Sequence, residues 1–371
     1  MVSIIGAGPA GNYLAYLLAQ KGINVDVYEE HPAIGRPIQC TGIMTAYLNQ
    51  LLDLSEAHEF VVNEITGTRV FAPNGTSVFI PLKKNLIVDR AFFDTYLGKL
   101  AASAGARFHY NSRFKSARVV DNKHVITFLN GNQTVETEAL VGADGPGSLV
   151  AKNFGIYGNR QFVIGVQARV KLHAPIDPSI VDFYVDKKEP GYIGWSVPET
   201  STISRIGVAS YAHSKHHFDE LLARLHGTII EWQSGVIPLY NPHLNSALSS
   251  VFLLGDAATM VKATTYGGII PALQAAHSLA HVLAHQGTAL EYEAAWKKTI
   301  GTQLWLHLAL RRYMDTFSIA DYNALIQYAT QDHIRNLLTT YDREYPSKLL
   351  FRALLREPRF LRFLFSPLTP S

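Results

Sequence analysis

The amino-acid sequence predicts an α/β fold. We expect a Rossmann-like dinucleotide-binding domain, interrupted by an inserted and mostly antiparallel sheet domain and followed by a helical C-terminal region. Three observations predict it: a strand, glycine turn and helix at the start, strand patterns from about 160 to 240, and helical patterns from Ala272 onward. We place the discontinuous dinucleotide-binding domain at residues 1–155 and 250–290, the sheet domain at 156–249 and the helical region at 291–371.

Composition and charge exclude several classes of protein. Hydrophobic residues are 47% and charged residues 17% of the 371 residues, which is typical of a globular chain with a large core. The net charge of +3 is too small for the dense basic surface of a nucleic-acid-binding protein. Cys40, the single cysteine, indicates a reducing compartment, and no secretory signal precedes the first strand. We expect a cytoplasmic protein, because no apolar run reaches the length of a membrane span.

The first element is a glycine turn between a strand and a helix. Residues 2–5 are apolar and β-branched, and Gly6, Gly8 and Gly11 then satisfy the pattern G-x-G-x-x-G. These glycines allow a tight turn, a close approach of the backbone to a pyrophosphate, and packing of the helix on the strand. Glu29 ends the second strand, where a carboxylate accepts hydrogen bonds from ribose hydroxyls. The motif predicts a dinucleotide site and leaves NAD and FAD open.

Two later segments favour FAD. Gly255-Asp256-Ala257-Ala258 follows an apolar strand, and Tyr266-Gly267-Gly268-Ile269-Ile270 opens a helix ten residues later. Both segments resemble FAD enzymes of the p-hydroxybenzoate hydroxylase-like fold, and so does the turn Gly142-Ala143-Asp144-Gly145. In that fold the aspartate binds the ribityl chain and the helix directs its N-terminus at the flavin. The resemblance implies FAD as the cofactor.

The loop after Glu29 narrows the resemblance. Its sequence, Glu29-Glu30-His31-Pro32-Ala33-Ile34-Gly35-Arg36-Pro37-Ile38-Gln39-Cys40-Thr41-Gly42, resembles that of geranylgeranyl reductases, as do Val88-Asp89-Arg90 and the stretch 263–269. Members of this family are flavoproteins that saturate isoprenoid chains, including those of archaeal membrane glycerophospholipids. The resemblance implies reduction of geranylgeranyl C=C bonds and a prenylated lipid substrate.

The resemblance also assigns residues to the cofactor. Together with the glycines of the first turn, these are Ala10, Glu29, Cys40, Thr41, Arg90, Asp256, Gly267, Gly268, Ile269 and, through its backbone, Phe114. A guanidinium at position 90 is able to pair with a phosphate. The alternative for Arg90 is an ion pair with Asp94, one helical turn further on.

The residues expected to contact the substrate match the family motif less closely than the cofactor residues do. The family has an aromatic-x-Trp-x-aromatic-Pro motif that lines the lipid cavity, and Tyr192, Trp195 and Pro198 approximate it. Ile193 and Val197 stand where aromatic residues are expected, so the size of the substrate and the number of bonds reduced stay open. Cys40, Tyr192 and a flavin-bound water are the candidate proton donors, and we identify no metal-binding pattern.

Three further features concern partners and alternatives. Lys348, Arg352 and Arg356 share one face of a C-terminal helix beside an apolar run, which suits either an anionic membrane surface or packing on the protein body. The electron donor, whether ferredoxin, NADPH or a deazaflavin, is unidentified because no second dinucleotide motif is present. The alternative functions are a flavin-dependent monooxygenase or halogenase of the same fold and a non-catalytic, flavin-bound carrier of prenyl lipids.

Overall fold

The computed structural model of the chain describes residues 1–55, 57–129, 134–186 and 189–340. Two features lie outside these residues. One is Asn130-Gly131, a dipeptide from which the sequence predicts a turn between two strands. The other is the basic amphipathic segment that contains Lys348, Arg352 and Arg356.

Helices occupy the beginning, the middle and the end of the described chain. They are α1 (Pro9–Gln20), α2 (Arg90–Ser103), α3 (Leu149–Asn153), α4 (Ser214–Leu225), α5 (Ile269–Ala284), α6 (Ala289–Trp296), α7 (Thr302–Met314), α8 (Ile319–Ala329) and α9 (Asp332–Thr340). Short 3-10 turns cover Ala46–Gln50, Ala57–Glu59 and Gly255–Ala258, and a π-helical turn at Lys297–Gly301 joins α6 to α7.

The strands form three sheets. They are β1 (Val2–Ile5), β2 (Val25–Tyr28), β3 (Ile43–Met44), β4 (Val61–Phe71), β5 (Ser77–Val88), β6 (Arg107–His109), β7 (Phe114–Val120), β8 (Lys123–Phe128), β9 (Thr134–Thr137), β10 (Ala139–Gly142), β11 (Phe162–Leu172), β12 (Ile180–Tyr184), β13 (Ile193–Pro198), β14 (Ile203–Ser210), β15 (Gly227–Pro238), β16 (Ala247–Leu248) and β17 (Val251–Leu253).

The first sheet has the order β16-β17-β10-β1-β2-β6, and all its pairs are parallel except β16 with β17. Every residue of β1, β2, β10 and β17 is buried, which explains why these strands are short apolar runs without alternation. Ile5 lies opposite Tyr28 and Gly142, so the loops after β1, β2 and β10 leave the sheet at the same edge. In open α/β sheets, this carboxyl edge is where ligands bind.

Local sequence signals set the ends of the helices around this edge. Pro9 opens α1, where its missing N–H group costs nothing and its fixed φ suits the first turn. Gly22, with φ +74°, follows the end of that helix. Asp89 caps α2 by accepting hydrogen bonds from the backbone N–H groups of Ala91 and Phe92.

The second sheet has eight strands in the order β15-β11-β14-β13-β12-β4-β5-β3. Its pairs are antiparallel except β12 with β4. The sheet therefore includes the hairpin of β4 and β5. From the sequence, this hairpin is assigned to the dinucleotide-binding domain, at residues 1–155. The carboxyl end of β5 leads directly into α2, and α2 leads into β6 of the first sheet.

The two faces of the second sheet differ in what covers them. Helix α4 covers one face through Phe218 and Leu221, which pack with Val166 and Val208 of the sheet. On the opposite face one row of residues crosses five strands: Gln233, Gln167, Gly207, Trp195 and Phe183 lie side by side in register. This row faces the loop of residues 39–42.

The C-terminal part of the described chain is helical, as the sequence predicts. Capping boxes begin α6 at Thr288 and Glu291, and α8 at Ser318 and Asp321. Residues Ile334 and Leu337 of α9 pack against Val78 of β5. Within the four described ranges, the structure has no helix that is both long and apolar enough to cross a membrane.

Candidate functional site

The three glycines of the first turn have different structural roles. Gly6 adopts φ +102°, and a Cβ atom there would collide with the carbonyl of Ala143 in the neighbouring β10 turn. A Cβ atom on Gly11 would collide with the carbonyl of Gly6. Around Gly8 no protein atom lies within 4 Å of a Cβ position. Gly6 and Gly11 are thus required by packing, whereas Gly8 leaves space beside the N-terminus of α1.

The N-terminus of α1 is open to a ligand, and Glu29 lies beside it. No side chain caps the helix at Gly8, so its first N–H groups and the positive end of its dipole face this space. Glu29 Oε2 accepts a hydrogen bond of 2.8 Å from the N–H of Ala7, while Oε1 accepts from the N–H (3.0 Å) and Nδ1 (2.6 Å) of His31. A carboxylate has about four lone-pair positions. One position on Oε2 remains for a ribose hydroxyl.

Asp256 lies in a 3-10 turn between the N-termini of α1 and α5. Gly255, at φ +65°, enters this turn, and its Cβ position is 3.1 Å from Ala10 Cβ and 3.4 Å from Ala272 Cβ. Burial raises the pKa of Asp256 to about 6, and the positive charges of Arg90 and Arg160 oppose this rise only in part. The carboxyl group is therefore held in an environment that lacks the hydroxyl and water donors of solution.

The N-terminus of α5 lies next to this carboxyl group. A Cβ atom on Gly268 would be 3.0 Å from Asp256 Oδ1, so the glycine permits the close approach. Gly267 accepts a backbone hydrogen bond of 3.2 Å from Lys262, and no side chain caps the helix that begins at Ile269. A planar ring with a developing negative charge would be stabilised at this helix end.

Arg90 lies half-buried at the start of α2 and forms a bidentate ion pair with Asp94. Its Nε and Nη2 atoms lie 2.9 and 2.8 Å from the two carboxylate oxygens. Burial lowers the pKa of Arg90, but the Asp94 carboxylate outweighs burial and the pKa is raised overall, so the guanidinium stays charged. The same guanidinium interacts with the Cys40 thiol. The ion pair expected as the alternative for Arg90 is therefore present, and it positions the arginine beside Cys40.

Gln167 of β11 connects the Cys40 loop to the second sheet. Its Oε1 accepts hydrogen bonds from Thr41 Oγ1 (2.6 Å) and Trp195 Nε1 (2.9 Å), and its Nε2 donates to Gln233 (2.5 Å). The Trp195 indole lies flat over Gly207, where a Cβ atom would collide with it. Two side chains predicted for the site, Thr41 and Trp195, thus meet on one residue that the sequence analysis did not identify.

Arg205 of β14 holds the Cys40 loop through a hydrogen bond to its backbone. Its Nη1 donates to the carbonyls of Thr41 (2.6 Å) and Val88 (2.8 Å), and its Nε pairs with Glu199 at 2.7 Å. Hydrogen bonds from Arg169 and Arg205 lower the pKa of Glu199 against the opposing effect of its burial, so this carboxylate stays charged. The position of the Cys40 loop is therefore set by buried, charge-assisted hydrogen bonds.

The structure does not bring Tyr192 and Pro198 to this face. Strand alternation directs both side chains to the opposite side of the sheet from Trp195. Tyr192 is buried under α4, where its ring packs edge-on against His217 at 5.6 Å. Ile193 and Val197, the aliphatic departures from the family motif, share the face of Trp195. Trp195 is thus the motif residue that adjoins Thr41.

Phe114 is buried at the start of β7, close to the strand that carries Glu29. It lies opposite Phe128 in the three-stranded sheet, and Phe128 stacks on Tyr28 with ring centroids 4.6 Å apart. Ser112, two residues before Phe114, donates its backbone N–H to the Glu29 carbonyl at 2.7 Å. Phe114 therefore lies near the segment that carries Glu29.

Asp144 and Arg160 support the turns that follow β10 and β17. Asp144 accepts hydrogen bonds from Ser148 Oγ (2.6 Å) and the N–H of Val150 (3.0 Å), so it holds the beginning of α3. Arg160 donates to the Ala257 carbonyl at 2.8 Å. Buried Arg160, like Gln167 and Arg205, lies in the strand-rich region, where isolated polar residues give no recognisable motif.

These residues fit a flavin dinucleotide better than a mononucleotide. The uncapped helix α1, the free position on Glu29 and the space at Gly8 form a site for an adenosine diphosphate group. The enclosed carboxyl of Asp256 and the uncapped helix α5 form a second site next to it. A ligand that occupies both must extend from Glu29 to the N-terminus of α5.

Comparison with known sequences identifies the family. The family described as Lycopene cyclase protein matches residues 2–343. The chain belongs to this family. Two curated relatives are named digeranylgeranylglycerophospholipid reductase. The one from Methanothrix thermoacetophila is 27% identical over 91% of this chain and 93% of its own length, and the one from Methanocaldococcus jannaschii is 26% identical over 88% and 89%. They confirm the resemblance to geranylgeranyl reductases.

Solved structures confirm the predicted fold class. A geranylgeranyl bacteriochlorophyll reductase-like protein from Thermoplasma acidophilum superposes with a TM-score of 0.84 at 21% identity, and covers 98% of both chains. A flavin-dependent brominase superposes with a TM-score of 0.70 at 19% identity, covering 97% of this chain and 99% of its own. A halogenase solved in complex with FAD reaches 0.68 at 14% identity, covering 91% and 84%. The fold is therefore that of flavin-dependent enzymes.

Proposed function

We propose that this protein is an FAD-dependent oxidoreductase that reduces C=C bonds of geranylgeranyl chains in archaeal-type membrane glycerophospholipids. Support comes from the names of the two curated relatives and from the position of both uncapped helix N-termini beside the Asp256 turn. The single observation that carries the proposal is the hydrogen bond network of Gln167. It joins Trp195 of the second sheet to Thr41, the residue that follows Cys40.

We assign the cofactor contacts as follows. The turn at Gly6, Gly8, Ala10 and Gly11 and the N-terminus of α1 would hold the pyrophosphate, and Glu29 would hold a ribose hydroxyl. Asp256 would accept hydrogen bonds from the ribityl chain, and Gly267, Gly268 and Ile269 would contact the pyrimidine ring. Bound FAD, once reduced, supplies a hydride to one carbon of an alkene while the other carbon takes a proton.

The protein residues have two tasks in this reaction. An aliphatic and aromatic wall of Ile193 and Trp195 would orient an apolar chain and exclude water. The indole face of Trp195 would also stabilise positive charge that develops on the second carbon. Cys40 is the better-placed candidate for the proton, since Tyr192 is buried under α4 on the other face and burial raises the pKa of its phenol.

The cellular setting also belongs to the proposal. We infer a cytoplasmic protein in peripheral contact with the membrane that contains its lipid substrate. The electron donor would be ferredoxin, NADPH or a deazaflavin, because each is able to reduce a bound flavin without a second dinucleotide fold. These assignments rest on the expected substrate.

An anaerobic single-turnover assay tests the proposed reaction. The purified flavoprotein is reduced with dithionite and mixed with a digeranylgeranyl glycerophospholipid, and the flavin absorbance and lipid mass are followed. We expect flavin reoxidation together with a gain of two hydrogens per bond reduced. Trp195→Leu should slow reoxidation, and Trp305→Leu, an exposed substitution on α7, should leave it unchanged.

Other outcomes would contradict reduction. Flavin that stays reduced until air is admitted would indicate a monooxygenase or halogenase. A changed lipid of unchanged mass would indicate an isomerisation such as cyclisation, the reaction in the description of the family. Flavin and lipid that bind together without any turnover would indicate a carrier.

A further inference from the structure

A cluster of histidine and glutamate side chains lies on α4, on the face of the second sheet opposite to the Cys40 loop. Its members are His216, His217 and Glu220 on the helix, with Glu189 and His213 beside them. Nothing in the proposed reaction uses these residues. Helix spacing explains the arrangement, because residues three and four positions apart share one face and both histidines reach Glu220.

The distances within the cluster match those between the ligands of one metal ion. Nδ1 of His217 lies 3.4 Å from Glu220 Oε2, and Nε2 of His216 lies 3.7 Å from Glu220 Oε1. One ligand atom from each of the three residues falls within 4.8 Å of the other two. Ligands held at about 2.0–2.2 Å from a tetrahedral zinc ion are separated by about 3.3 Å. Small side-chain rotations would therefore close the site.

Glu189 completes the pattern in a second layer. Its Oε2 lies 3.3 Å from Nε2 of His217, the ring nitrogen that does not face Glu220. A histidine that binds a metal through one nitrogen normally donates its other N–H to a carboxylate, which fixes the tautomer and the ring orientation. Glu189 also lies 3.1 Å from Nδ1 of His213, so it is held between two histidines.

We propose that His216, His217 and Glu220 bind a zinc ion, with Glu189 orienting His217. Two imidazoles and one carboxylate form a ligand set that zinc prefers, with water at the open position on the solvent side. His217 is buried and its ring is fixed between Glu189, Glu220 and Tyr192, so one ligand is already oriented before the ion arrives.

Bound zinc would fasten α4 to the loop that leads into β13. Glu189 belongs to this loop, and the N–H of Gly191, two residues on, donates at 2.8 Å to Asp315, the residue that follows α7. The carbonyl of Gly191 accepts a hydrogen bond of 2.6 Å from Tyr266, just before α5. The metal site would thus stabilise the contact between the second sheet, the end of α7 and the turn that precedes α5.

Calorimetric titration of zinc into the chelator-treated flavoprotein tests the site. We expect one ion per chain with a micromolar dissociation constant. His216→Asn and Glu220→Gln, both exposed substitutions, should weaken binding beyond detection, and Glu189→Gln should weaken it about 10-fold through the second layer. The matched control is the double variant His281→Asn/His285→Asn at the C-terminal end of α5, where two stacked histidines lie without this carboxylate arrangement.

The electron paramagnetic resonance spectrum of bound Cu²⁺ gives an independent readout, with nitrogen couplings from two imidazoles that are lost in the His216→Asn variant. Zinc that fails to bind the wild-type protein would overturn the proposal. Binding that survives His216→Asn and Glu220→Gln but disappears in the α5 control would assign the ion to α5 and would overturn it equally. Because these measurements do not depend on turnover, they remain valid if the reductase assay fails.

Discussion

The carboxyl group of Asp256 should destabilise the protein in the absence of FAD. Burial raises its pKa from 3.8 to about 6. Each pKa unit corresponds to about 1.4 kcal/mol, so ionised Asp256 costs the folded apoprotein about 3 kcal/mol at neutral pH. Asp256→Asn preserves the shape of the side chain and removes the charge. We expect the variant apoprotein to be more stable than the wild type above pH 7.

The raised pKa of Asp256 determines in which direction the stability of the apoprotein changes with pH. Between the unfolded pKa of 3.8 and the folded pKa of about 6, the folded protein holds a proton that the unfolded chain has lost. The contribution of Asp256 to stability is therefore present at low pH and is lost as the pH rises through this window. The advantage of Asp256→Asn should grow from near zero at about pH 4 to its full value at about pH 7.

Urea unfolding of the apoproteins at a series of pH values measures this difference. Asp219→Asn serves as a control, because Asp219 is exposed and pairs with Lys215 on the surface. A difference between Asp256→Asn and wild type that does not change with pH would refute the reasoning. Asp256→Asn should also weaken FAD binding about 10-fold, since a carboxylate accepts hydroxyl hydrogen bonds more strongly than an amide.

Four further predictions concern single side chains. Arg311 is 1% exposed and donates to the carbonyls of residues 263 and 264, so Arg311→Leu should cost about 3–5 kcal/mol in urea unfolding, whereas exposed Arg312→Leu should cost little. Gly8→Ala should leave the melting temperature of the apoprotein unchanged and lower FAD affinity at least about 10-fold, because its side chain meets no protein atom. Gln167→Leu leaves three polar groups without their partner, and it should slow flavin reoxidation by lipid while FAD affinity stays near wild type. Cys40→Ser should slow that reoxidation and should not alter FAD absorbance.

Most of the first sheet could be predicted from the sequence because its signals are local. The glycine turn, Glu29 and the Gly255-Asp256 turn each follow a short apolar strand. Two of these strands, β1 and β2, are adjacent in the sheet, and β10 separates β1 from β17. The start of α2 at Arg90 follows an aspartate cap at the expected position. In each case, residues within about one turn of each other determine the conformation.

The second sheet was harder to predict because its strands pair over long distances. β4 and β5 contain charged residues such as Lys83, Lys84 and Glu64 on their exposed face, which hides their alternation, and β12 joins them from beyond residue 180. The division into domains at residue 155 stays a sequence prediction, and strand pairing extends the second sheet across it.

The candidate site shows the same limit. Sequence spacing identified Trp195 and placed Tyr192 with it, but it could not assign the two residues to opposite faces without the strand register. Gln167, Arg205 and Arg311 have no motif, since each acts through backbone or side-chain groups more than 25 positions away. Such contacts become visible only when the strands and helices are assembled.

The pairing of β4 with β12 has a consequence for synthesis on the ribosome. Phe71 lies opposite Tyr184, so about 110 residues must be translated before the open edge of the β4–β5 hairpin finds its neighbour. At roughly 5–20 residues per second, that edge stays exposed for about 6–20 s. An unpaired edge is able to pair with other nascent chains. The yield of folded protein should therefore depend on the translation speed of residues 72–179 as well as on the stability of the finished fold.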